Sequence, residues 1–259
     1  MLHPVERKFS FGNCFFYHTM DLPGVGIVRG QWQIRDFQQY IGFVDLTNKS
    51  VLDVGTASGF LSFEAERAGA AQVTSFDADS VERMFRLPFR ESLFWKDWHA
   101  WVKENQLWLE GLKAGYRVAH DQLGSKAQTH YGDIFQLRQL FPDGFDVTMA
   151  GAILEHLNDP VSALASIASV TRERLIIAFT PIVEHDEVLL QAATSWADPA
   201  ADFTWWVGSR GMYRKVLENM GFEIERISPS LAFMEPEGTA VKRSTLVARR
   251  RTPMPAARG

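Results

Sequence analysis

Residues 51–59 read VLDVGTASG, and residues 72–77 answer them with QVTSFD. Val51, Leu52 and Val54 form a short apolar, β-branched run of the kind that suits a strand buried on both faces of a parallel sheet. The chain then turns, and Gly55, Ala57 and Gly59 leave that turn almost without side chains. A ligand can therefore lie against bare backbone amides at the start of the next helix, expected over 60–68 and ended by Gly69. A second strand, 72–76, finishes at Asp77. A carboxylate at the tip of the strand after such a turn can accept hydrogen bonds from both hydroxyls of a ribose. The unit reads as the nucleoside-binding half of an α/β fold.

Spacing separates two ligand classes for that half. The dinucleotide fingerprint G-x-G-x-x-G needs glycine at positions 57 and 60, where this chain has Ala57 and Phe60. It carries instead D-x-G-x-A-x-G, with Asp53 inside the strand end. This pattern resembles motif I of the class I methyltransferases that use S-adenosylmethionine. The resemblance implies a Rossmann-like α/β fold with a seven-stranded sheet. It implies S-adenosylmethionine as cofactor, with S-adenosylhomocysteine as product. It also puts Asp53, Gly55, Thr56, Ala57, Ser58 and Gly59 at the methionyl end and Asp77 with Ala78 at the ribose. After a third strand near 127–131, Asp133 matches the acid at the adenine edge, and Ile134 is placed against the ring. The alternative for Asp133 is a helix N-cap.

Length and composition narrow the class further. A chain of 259 residues can bury one large core, so one embellished α/β domain is expected. Cys14 is the only cysteine, which excludes an intrachain disulfide and a thiolate metal cluster; no metal is expected. The opening residues, MLHPVERKFS, lack the apolar core of a signal peptide, and no later run approaches membrane-spanning length. A cytoplasmic protein without a membrane partner is expected. A formal charge of −4 supplies no global field for a polyanion, so nucleic acid would need a local basic patch.

Residues 1–46 are too apolar for a loose tail and are expected to cap the cofactor mouth, with 31–41 helical. FYHTMDLPG, then GQW, then the VLDVG turn, are similar to the opening of a methyltransferase branch that includes tRNA wobble-uridine carboxymethyl-transferring enzymes and relatives linked to small-molecule biosynthesis. That likeness implies Tyr17, His18 and Trp32 near the cofactor and substrate, the alternative being core aromatics of the N-terminal cap, and it makes tRNA the alternative partner. Its carboxymethyl-transferring members need cationic side chains around an extra carboxylate, and the sequence offers no clear set of them. Between the second and third strands, residues of about 82–124 form an insertion. Phe94, Trp98, Trp101, Asn105 and Trp108 fall on one helical face, widened by Trp95, Val102 and Leu109. Regular spacing reads as packing, with some of these rings open to a pocket.

The fourth strand, 145–150, runs into GAILEHLNDP. Ligands of open parallel sheets bind beyond the carboxyl ends of the strands, so Gly151, Glu155 and His156 should face the sulfonium. His156, whose ordinary pKa lies near neutrality, is the expected base, with Glu155 beside it. A fifth strand, 175–179, leads to a polar turn with His185. FTWWVGSRG then places a paired-tryptophan turn before a helix capped by Ser209, and by the same likeness Trp205, Trp206 and Arg210 reach the substrate. Strands at 222–227 and 245–248 complete the sheet. The domain proper thus spans 47–248, and 249–259 is a basic, solvated tail. These readings converge on a methyltransferase acting on an oxygen or nitrogen of a small metabolite, with a tRNA-modifying enzyme and a non-catalytic cofactor-binding module as alternatives.

Overall fold

The computed structural model describes residues 10–85, 98–193 and 204–254. Seven strands form the main sheet: β1 (Ser50–Val54), β2 (Gln72–Ala78), β3 (Gln128–Gly132), β4 (Phe145–Gly151), β5 (Thr171–Thr180), β6 (Phe222–Met234) and β7 (Thr239–Arg250). Their order is β3-β2-β1-β4-β5-β7-β6, with the first five parallel and β7 antiparallel to both β5 and β6. The order reverses between β1 and β4, which opens a crevice at their carboxyl ends.

Alternation along the strands feeds a separate core on each face. On one side Val51, Val147, Met149, Ile176 and Val247 pack with helix α1 (Phe60–Arg67), helix α2 (Trp98–Leu123) and the N-terminal segment. On the other, Leu52, Val54, Leu175, Ile177 and Leu246 pack under α3 (Pro160–Ser169) and α4 (Arg210–Asn219). Both latter helices start as the sequence requires: Asp159 accepts from the Ser162 amide with Pro160 in the first turn, and Ser209 accepts from the Met212 amide at 3.0 Å.

Three expectations need correction. The seven-stranded sheet gains an eighth, short strand, because Trp32–Gln33 pairs with Met234 and Phe233 at the outer edge of β6. Unpaired peptide groups of that edge capture a segment expected to be helical over 31–41. Only Phe37–Tyr40 remains helical, capped by Asp36. Nor is the chain loose from Arg249 onward. Arg249 and Arg250 close β7 opposite Glu223 and Phe222, and Arg250 Nε donates to the Thr171 carbonyl at 2.6 Å. The remainder of that tail, 255–259, lies outside the described residues.

Helix α2 fills the insertion between β2 and β3. Its buried face runs Trp101, Asn105, Leu109, Leu112, Tyr116 and Ala119, at spacings of four and three, as the tryptophan pattern demands. Phe94 and Trp95 lie outside the described residues. The short strand Cys14–Phe15 is laid across α2 so closely that a β-carbon at Gly115 would fall 2.2 Å from the Phe15 carbonyl oxygen. Gly115→Ala should therefore lift the N-terminal cap from the helix, costing ~1–3 kcal/mol as overpacking does elsewhere. Chemical denaturation checks this; stability equal to the parent would show that the cap does not need this contact.

Among the described residues no helix is long and apolar enough to cross a membrane, and no group of His, Cys, Asp and Glu could hold a metal ion.

Candidate active site

The crevice at the strand ends is one continuous cavity of about 1260 Å³. Ligand sites for single small molecules commonly occupy ~300–1,000 Å³, so two ligands fit side by side. The N-terminal segment and α2 roof it.

At one end lies the turn after β1. Gly55 has φ +81° and Ala57 has φ +50°, and the Gly55 and Thr56 amides donate to the Phe76 carbonyl at 2.8 and 3.1 Å. Asp77, at the end of β2, completes the end wall. Its Oδ2 accepts from the Ala57 amide and its Oδ1 from the Ala78 amide, both at 2.7 Å. Burial raises the Asp77 pKa, and these two amides work against that rise. Gly132 and Ile134, at the end of β3, line the same region.

The other end lies beyond β4 and β5. His156 reaches it from a short 3₁₀ turn, Leu154–His156. Tyr17, His18, Trp32, Tyr40, Phe179 and Arg243 enclose the rest. The His18 ring packs 5.3 Å from Phe60 and 4.9 Å from Tyr17, and burial lowers its pKa to about 3, so it stays neutral. Tyr17 is pushed up to about 12, by burial first and by the Glu155 charge second, and the Trp32 side chain hydrogen-bonds to it. The N-terminal segment is fastened to the turn after β1: the Tyr17 amide donates to Ser58 Oγ at 3.0 Å.

A family model for the methyltransferase domain matches residues 29–227. The chain belongs to the methyltransferase domain family. It is a class I, S-adenosylmethionine-dependent methyltransferase. No curated protein matches it. Among solved structures it is similar to magnesium protoporphyrin IX methyltransferase from Synechocystis PCC 6803 with bound S-adenosylhomocysteine, at 17% identity over 80% of this chain and 76% of that one, TM-score 0.47. It is also similar to the 1,6-didemethyltoxoflavin-N1-methyltransferase of Burkholderia thailandensis, at 14% identity over 80% and 72%, TM-score 0.48. The pyocyanin biosynthetic protein PhzM gives 18% identity over 83% and 54%, TM-score 0.49. Likeness at this level is of fold alone.

The methyltransferase's own residues fit its cofactor. Each Asp77 oxygen spends one acceptor position on a backbone amide and has another that a ribose hydroxyl would use. Gly55, Ala57, Ala78, Ile134 and Gly151 all line the cavity.

Other expected positions lie behind the wall. Asp53 is fully buried and does not line the cavity: Ser62 Oγ donates to its Oδ2 at 2.8 Å, within a network joining Thr56, Ser75 and Tyr116. Burial raises its pKa to about 6. Its work in this structure is to brace the turn from below, because a strand residue one position from Val54 points to the opposite face. Thr56, Ser58 and Gly59 also sit off the lining, Thr56 and Ser58 buried within that brace and the cap contact, and Gly59 at the head of α1 with φ +93°. Asp133 is an N-cap, its Oδ1 accepting from the Phe135 amide at 3.0 Å, and it too is off the lining.

On the acceptor side, Glu155 is buried away from the cavity and pairs with Arg243 Nη1 at 2.8 Å. It is thus not placed to touch a substrate. Trp205 is buried against Trp101 and Leu109, while its amide donates to the Glu155 carbonyl at 2.7 Å. Trp206 turns its indole to the Asn158 carbonyl at 3.1 Å. Arg210 pairs with Asp186 and Glu184 on the surface, and the His185 ring accepts from the Glu187 amide. None of these four lines the cavity. Sequence reasoning missed Tyr40, Phe179 and Arg243, which do line it. Arg243 sits in no motif, and it is the pairing of β7 with β5, which sets Ser244 opposite Thr180, that brings it to the strand-end crevice.

Proposed function

We propose that this methyltransferase transfers its methyl group to an oxygen or nitrogen of a small metabolite in a cytoplasmic biosynthetic pathway. The observation that carries this reading is the single roofed cavity, with room beside the cofactor end for a molecule of modest size and walls that are mainly aromatic there. Its charged lining is mixed, with Asp77, Glu104 and Glu110 against Arg83, Arg117 and Arg243, which does not make a track for a phosphate backbone.

Bound at this site, S-adenosylmethionine supplies an electrophilic methyl group. The chain's contribution is positioning: Asp77 and the turn fix the nucleoside beneath the N-terminal segment. Holding reactants in line can supply ~7–11 kcal/mol in favourable cases. Where the acceptor atom bears a proton, the His156 imidazole is the group placed to take it. His156→Ala should therefore lower turnover by roughly 10²-fold, within the usual range for a general base, while leaving S-adenosylhomocysteine affinity alone. Wild-type turnover at saturating acceptor would remove His156 from the mechanism.

Incubation with methyl-labelled cofactor and fractionated extract tests the proposed acceptor class. Label should enter a low-mass compound. Label in RNA would replace this reading with the tRNA-modifying one, and unlabelled extract with intact cofactor binding would favour a non-catalytic module.

A further inference from the structure

The corner formed by Tyr40, Phe179 and Arg243 is built at a cost that packing alone does not require. Phe179 has φ +50°, a left-handed conformation that a bulky side chain rarely adopts and that concentrates at binding sites. It falls where the pairing of β5 with β7 slips, between Ile177 and Thr180. Thr245 fastens the kink on both sides: its hydroxyl accepts from the Phe179 amide at 3.1 Å and donates to the Tyr40 carbonyl at 2.7 Å. The Tyr40 and Phe179 rings stack at 5.7 Å, and the Arg243 guanidinium lies 5.1 Å from the Phe179 ring centre.

What this arrangement presents to the cavity is a pair of unused donors. The Tyr40 hydroxyl makes no hydrogen bond among the described residues, and burial holds its proton by raising its pKa well above the ordinary value. Arg243 spends Nη1 on Glu155, and its Nη2 and Nε make no hydrogen bond among the described residues. Glu155 fixes the guanidinium from the side away from the cavity, its other oxygen buried and without a partner among the described residues. The Trp32 indole, held through Tyr17, provides a flat wall beside them. An anionic acceptor group would take up these unused donors in a poorly hydrated space.

We propose that this corner is the acceptor site and that it takes a flat aromatic ring bearing a carboxylate, whose oxygens accept from Arg243 and the Tyr40 hydroxyl while the ring lies along Trp32. The inference deepens the small-metabolite reading and rests on it. Calorimetry on the full chain saturated with S-adenosylhomocysteine tests it, using 2-naphthoate and its neutral isostere 2-naphthamide as probes. The carboxylate should bind at least tenfold more tightly than the amide. Arg243→Gln should bring the two within about twofold of each other, and Tyr40→Phe should weaken the carboxylate more than the amide, as removal of one hydrogen bond to a charged group does. Because Arg243→Gln strands the buried Glu155 charge, the E155Q/R243Q double variant is measured beside it and should show the same lost preference with a neutral pair. Equal binding of both probes to the parent, binding of neither, or a carboxylate preference that survives in the double variant would overturn the proposal. Label entering RNA in the extract experiment would defeat the small-metabolite reading by a separate route and leave this affinity ratio unchanged.

Discussion

Asp77→Ala should weaken binding of S-adenosylhomocysteine about a hundredfold. The carboxylate is the hub of the cofactor end: two backbone amides, of Ala57 and Ala78, already converge on it at 2.7 Å, one to each oxygen. Two ribose hydroxyls would complete the set, and hydrogen bonds to an ionised acceptor contribute ~1.5–3 kcal/mol apiece. Removing the side chain deletes both and also releases the Ala57 amide, which belongs to the turn that cradles the rest of the nucleoside. Taking ~3 kcal/mol as the lower end gives the hundredfold loss. Asp77→Asn is the sharper variant, since it keeps the volume but turns an amide NH₂ toward one of two backbone donors. It should lose nearly as much as alanine. Titration calorimetry reads both affinities, with far-ultraviolet circular dichroism to verify the fold. Parent-like affinity in either variant would mean that the ribose is held elsewhere.

The same residue shows why part of this site is legible in sequence and part is not. Asp77 announces itself because strand, turn, helix, strand and acid follow one another within about thirty residues, and local order alone brings the acid to the turn. The stripe on α2 is legible for a similar reason, since burial from Trp101 to Ala119 follows a helical period that needs no partner to be known. Arg243 and Phe179 are different. They meet only because β7 pairs antiparallel to β5 across a slipped register, a relation that no local pattern encodes. Trp205, Trp206 and Arg210 fail in the opposite sense. Aromatic and cationic residues before a capped helix look like a substrate loop, yet the Trp205 amide bonds to the Glu155 carbonyl and its ring is buried with Trp101 and Leu109. Composition shows what a side chain can do, and only the sheet edge beneath it determines which way it faces. Asp53 is a subtler case: the acid of the motif is present, but strand alternation turns it into a buried bracket for Ser62.

That bracket and His18 should give the apoprotein two opposed pH dependences. His18 is neutral in the fold, with a pKa lowered by burial from 6.5 to about 3, and its buried Nδ1 has no partner among the described residues. Between those values the unfolded chain binds the proton that the fold refuses, so stability is retained above pH 6.5 and falls as pH drops toward 3. Asp53 works the other way. Burial raises its pKa from 3.8 to about 6, so the fold holds the proton more tightly than the unfolded chain; its contribution is full below pH 3.8 and is lost as pH rises through 6. Across pH 4–6 the two slopes have similar size and opposite sign, each amounting to ~2–3 kcal/mol over that range. The parent's stability should therefore change little there on their account. Removing one partner unmasks the other. Urea denaturation at pH 6.5, 5 and 4 should show Asp53→Asn losing stability with acid more steeply than the parent, and His18→Leu losing it less steeply or gaining it. Carboxylates elsewhere affect all three proteins equally and cancel in the comparison. Parallel curves for the three would show that neither group titrates differently in the fold. The neutral His18 assigned to this end of the cavity would then no longer stand.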